Sequence, residues 1–151
     1  MRRVPGRRGA GIKGAAPALA AVLALACCLC AGCGGVVAAD LFVVTRTGST
    51  PASHLTLLVN EEGNVRCNGG RIRKLSDSQL VTARAIQEEV QNDASRHLVL
   101  APRPRSVFHY FLRDENGWVR FSDNSAGQSA VLHQLQLFVI TTAQQVCHLP
   151  E

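Results

Sequence analysis

From Leu41 onward the chain reads as short apolar runs broken by turn residues, and the period of the apolar positions changes along it. "LFVVTRT", Leu41 to Thr47, is rich in β-branched and aromatic side chains and stops at Gly48, which predicts a strand and then a turn. After a Ser-Thr-Pro-Ala-Ser loop, "HLTLLVN", His54 to Asn60, predicts a second strand. Glu61-Glu62-Gly63-Asn64 turns the chain into a short third strand, Val65 to Cys67, and Asn68-Gly69-Gly70 ends it. At Ser76 the period changes. Ser76 and Gln79 have capping-box spacing, and Leu80, Ala83, Ile86 or Gln87, and Val90 follow at three- and four-residue intervals, so a helix runs to between Asn92 and Ser95. Pro102 and Pro104 keep Leu98 to Ser106 irregular, since each removes a donor and biases the residue before it.

Two further elements complete the pattern. Val107 to Arg113 and Trp118 to Ser122 flank Asp114-Glu115-Asn116-Gly117, where the Asn-Gly pair supplies the positive φ angles of a tight hairpin. Phe108, Tyr110 and Leu112 fall on one side of the first hairpin strand, and Val107, His109 and Phe111 on the other; apolar residues on both sides mark a central strand. A second Ser-x-x-Gln, Ser125 and Gln128, opens the last element. There Val131 or Leu132, Leu135, Phe138 or Val139, and Thr142 make one stripe, and a helix is expected despite the strand propensity of Phe138 to Thr142. The order β-β-β-α-β-β-α makes an α+β domain: one antiparallel sheet of four to five strands with two helices on one face.

Residues 1–39 have a different character. Arg2, Arg3, Arg7, Arg8 and Lys13 form a basic head, and Gly14 to Ala39 is uncharged, the pattern of a signal peptide or anchor ahead of a single domain over 40–151. Val37-Ala38-Ala39 offers small residues for cleavage before Asp40. Leu29-Cys30-Ala31-Gly32-Cys33 resembles a bacterial lipobox with Cys33 as the lipidated residue, although Cys30 stands where leucine is usual. An uncleaved membrane helix is the third alternative. Each reading puts the domain outside the cytoplasm, either released or held at the membrane through a lipid or an N-terminal anchor.

That division changes the meaning of charge and cysteine. The net charge of +5 resides in the head, and residues 40–151 carry eleven basic and eleven acidic groups. Domain-wide neutrality argues against a nucleic-acid partner. Cys27, Cys28, Cys30 and Cys33 lie in the apolar head without the histidines and turns of a zinc site. Cys67 and Cys147 remain, and in an oxidising compartment they are expected to pair as one disulfide.

Catalytic and metal constellations are not expected. His54, His97, His109, His133 and His148 include no pair at helical spacing, and Ser122, Asp123 and His109 lack the nucleophile elbow of a hydrolase. No cofactor motif is present either. The alternative, an extracytoplasmic hydrolase or metal-binding protein, requires that two or more of His54, His97, His109 and His133 converge in one concave site.

The opening strand ending in Arg46-Thr47-Gly48, the hairpin running into Phe121-Ser122-Asp123, and a closing helix with Leu132 and Leu135 resemble the emfourin family, small proteinaceous inhibitors of thermolysin-like metallopeptidases. The likeness spans most of residues 41–140; Ser49 stands where a second glycine is expected, and a Cys67–Cys147 bridge is not a family feature. The resemblance implies a non-enzymatic domain that binds another protein, a secreted metallopeptidase, through loops. The loops that composition marks are Gly48 to Ser53 and Ala101 to Ser106, with Arg46, Gly48, Ser49, Arg103 and Arg105 as candidate partner-binding residues.

Overall fold

The computed structural model describes residues 39–50 and 53–149, which all fall in one unit beginning at Val37. Residues 1–38, with Cys33 and both processing sites up to Ala38, lie outside the described residues. The strands are β1 (Asp40–Gly48), β2 (Leu55–Asn60), β3 (Asn64–Cys67), β4 (Ile72–Lys74), β5 (Phe108–Arg113) and β6 (Trp118–Ser122). The helices are α1 (Asp77–Ser95) and α2 (Ala130–Thr141), the latter continued by a π-helical turn, Thr142–Val146. All six strands form one antiparallel sheet in the order β4-β3-β2-β1-β5-β6. The α+β architecture expected from the pattern is present, with six strands in place of four to five.

The additional strand is β4. It is three residues long and exposed throughout, and its pairing of Arg66 with Ile72 and Asn64 with Lys74 has no counterpart in an apolar alternation. Short, charged strands of this kind protect a sheet edge from pairing with other chains.

Register sorts the strand residues into two faces. Cys67, Leu57, Val44, Leu112 and Val119 are consecutive partners across five strands, and all are buried. Leu55, Tyr110 and Phe121 flank that row on the same face. Against it pack Ala83, Ile86, Val90 and Ala94 of α1 and Val131, Leu132, Leu135, Phe138 and Val139 of α2, in one continuous core. Phe42 meets Phe138 edge to face at 6.0 Å. Fully burying one such leucine contributes about 1.5–3 kcal/mol, so this face carries most of the fold's apolar stabilisation.

The ends of the elements follow local chemistry, with two departures. Ser76 and Gln79 make the expected capping box. α2 starts at Ala130 instead, with Ser129 at the N-cap position but making no side-chain capping bond, and Ser125 and Gln128 are used on the preceding strand: Ser125 Oγ accepts from the Ser122 N–H and Gln128 Nε2 donates to Ser122 O. The β5–β6 hairpin forms, but only Gly117 of the Asn-Gly pair has positive φ. Asp114 Oδ1 closes the turn by accepting from the N–H groups of Asn116 and Gly117. A side chain at Gly117 would overlap the Ala94 carbonyl, so glycine lets the hairpin sit against the end of α1.

Cys67 and Cys147 are joined as a disulfide, with Cα atoms 6.3 Å apart and a sequence separation of 80. The bridge ties β3, near the sheet edge, to the residue that follows the π-helical turn. None of the helices among the described residues is long and apolar enough to cross a membrane.

Candidate functional site

Two segments far apart in sequence meet at one end of the sheet. Gly48 at the end of β1 pairs with Phe108 at the start of β5, which brings the β1–β2 loop beside the proline-bearing segment before β5. Contact there is close. A Cβ on Gly48 would stand 2.7 Å from Ser53 Oγ and 2.9 Å from Val107 O, so any other residue would push the two loops apart. The loops that composition marked separately are therefore one surface. Residues 51 and 52 of the first lie outside the described residues.

The second loop is clamped by the residues that follow β6. Asn124 Oδ1 accepts from the Arg103 N–H (3.2 Å), and its Nδ2 donates to Pro104 O (3.1 Å). Asp123 accepts from Ser106 Oγ at 2.8 Å and from the Val107 N–H at 3.1 and 3.2 Å. Burial works against the charge on Asp123, but these bonds and further backbone N–H groups outweigh it and hold its carboxyl below the usual carboxylate range. Within the clamp Arg105 has φ +69, a left-handed conformation uncommon for a residue with a side chain. Arg103 and Arg105 are exposed.

Arg46 has a different place from the other candidates. It is half-buried, its Nε donates to Ser53 O at 3.1 Å, and its guanidinium lies 4.9 Å from the centre of the Phe108 ring. It also reaches Tyr110, whose hydroxyl pKa is raised by burial; Arg46 opposes that shift through its charge and a hydrogen bond, and Asp123 adds to it. Arg46 thus braces the first loop from beneath. Ser49 is exposed at the loop's start, and Ser53 Oγ donates to Thr50 O. The exposed polar side chains of the surface include Ser49, Thr50, Arg103 and Arg105, and Gly48, Arg46, Asp123 and Asn124 hold the loops that carry them. Sequence spacing gives no sign of the Asp123–Asn124 clamp, since its partners lie some twenty residues upstream.

The histidines serve separate surroundings. His109 Nδ1 lies 2.8 Å from Ser122 Oγ, but Ser122 is 1% exposed, and the Asp123 carboxylate is directed to Ser106 and Val107. His97 stacks on Trp118 at 4.9 Å. His54 precedes β2, and His133 is exposed on α2. Among the described residues no three His, Cys, Asp or Glu side chains gather as a metal ion would require.

No protein-family model, curated protein or solved structure matches the chain.

Proposed function

We propose that residues 40–151 form an exported, non-enzymatic binding module: a proteinaceous inhibitor of a secreted metallopeptidase, either released or kept at the membrane by the segment before Asp40. The observation that carries this reading is the meeting of two loops at Gly48 in one arginine-bearing surface, whose second loop is clamped by Asp123 and Asn124. A loop whose conformation is set before contact loses less entropy on binding, and that is how rigid scaffolds present inhibitory loops. Arg103 and Arg105 suit acidic groups on the partner. The disulfide agrees with an oxidising compartment.

Titration of a thiol-free thermolysin-like metallopeptidase with the purified protein tests the reading. Stoichiometric loss of peptidase activity is expected, and the double substitution Arg103→Ala, Arg105→Ala should weaken it by at least about tenfold. Full peptidase activity at saturating protein, with no complex detected by size-exclusion chromatography, would refute it.

A further inference from the structure

Among the described residues no helix packs on the second face of the sheet, and its composition is selective. Partner by partner it presents Ile72, Arg66, Leu58, Val43, Arg113 and Trp118 in one row, and Thr56, Thr45, Phe111 and Arg120 in the next. Arg66, Lys74, Arg113 and Arg120 all lie on this face, and its one acidic strand residue, Asp40, pairs with Asn60 at the start of β1, away from the Thr45–Phe111–Arg120 row. Four carboxylates, Asp77, Glu88, Glu89 and Asp93, are instead on α1.

Arg120 is the focus of the face. Its guanidinium lies 5.0 Å from the ring centres of both Phe111 and Trp118, and His97 stacks on Trp118 as well. Arg120 is exposed and has no acidic partner: among the described residues the ion pair is Arg96 with Asp93. Asp114, in the nearby turn, directs Oδ1 to its own turn's N–H groups. A guanidinium held over two rings has lost much of its freedom, yet its N–H edge can still donate a bidentate pair to a carboxylate. Beside it lies a depression of about 270 Å³, walled by Thr45, Phe111, Pro102 and Val99, the last 60% exposed.

We propose that this face is a second binding site, centred on Arg120 and bordering the loop surface at Pro102, for an acidic extended segment of a partner protein. One carboxylate sits on the Arg120 guanidinium, and a neighbouring apolar side chain fills the depression. Charge complementarity selects an anion. Single-stranded nucleic acid is disfavoured because Trp118 and Phe111, the rings on which bases would stack, are already engaged by Arg120 and His97.

Trp118 is the chain's only tryptophan and reports on the site directly. The probe is a fluorescein-labelled, acetylated hexapeptide of alternating leucine and glutamate, added to the full chain. Rising anisotropy, a change in Trp118 emission and weakening with salt are expected. Arg120→Ala should lower affinity about tenfold or more and Arg120→Lys by less, since the lysine keeps charge but not the planar fork. The Arg103→Ala, Arg105→Ala variant should bind the peptide unchanged, which separates this site from the loop surface. Equal binding of a glutamine-for-glutamate peptide, no effect of either Arg120 substitution in folded protein, or tighter binding of an oligothymidylate would overturn the proposal.

Discussion

The two faces of the sheet are built from the same strands, often from adjacent residues, yet they are held in different ways. Leu112 is fully buried in a row of apolar partners beneath two helices, whereas Phe111, one residue earlier, lies half-buried under the guanidinium of Arg120. On the covered face stabilisation comes from removing apolar area from water. On the uncovered face it comes from cations over rings, an arrangement worth about 0.5–1 kcal/mol at exposed sites. The difference shows how a domain neutral as a whole can present a cationic face: alternation sends Arg113 and Arg120 one way and Leu112, Val119 and Phe121 the other.

The largest expected effect on that contrast concerns the covered face at β3, next to the edge strand. Opening the Cys67–Cys147 bridge, by reductant or by Cys147→Ser, should lower unfolding free energy by about 4 kcal/mol, as loop-closure entropy gives for a separation of 80. Denaturant unfolding with and without reductant measures it, and unchanged midpoints would show that β3 is held without the bridge. Next comes the adjacent pair itself. Leu112→Ala should cost about 3 kcal/mol through a buried cavity, and Phe111→Ala about 1 kcal/mol, in the same unfolding assay. Equal costs would mean that the uncovered face is a second core, and the contrast would fail.

What could be read from the chain follows the same division. The strands of the covered face announce themselves by period-two apolar residues, α1 by its capping box, and the disulfide by a count of the cysteines left after the apolar head. β4 leaves no mark in the apolar pattern because Ile72–Lys74 has no buried residue, and its identity as a strand rests on pairing with Val65 and its neighbours. α2 starts later than the Ser-x-x-Gln spacing suggests, because Ser125 and Gln128 carry capping chemistry but direct it to Ser122. The cluster of arginine and aromatic residues was invisible for a further reason. Arg113, Trp118, Phe111 and Arg120 become neighbours only once β5 and β6 are in register, and composition averages them against the carboxylates of α1. Both candidate loops could be marked, but their meeting at Gly48 depends on β1 pairing with β5.

The smallest effect sharpens the comparison at the place where the faces end and the loops begin. Asp123 holds Ser106 and Val107, and its folded pKa lies below the usual carboxylate range. A lowered carboxylate pKa adds stability that is complete above the unfolded value and is lost as pH falls through the folded one, so the clamp should loosen in acid, below the range in which an ordinary aspartate titrates. Asp123→Ala should cost about 1–2 kcal/mol, remove this acid dependence, and speed amide exchange at Ser106 and Val107 already at neutral pH. Because Asp123 is turned to its own loop, the same substitution should also weaken peptidase inhibition, while the Leu-Glu peptide still binds at Arg120. If exchange at Val107 stayed slow in the variant, the loop would owe its shape to Asn124 and the prolines, and the clamp would reduce to the Asn124 contacts with Arg103 and Pro104.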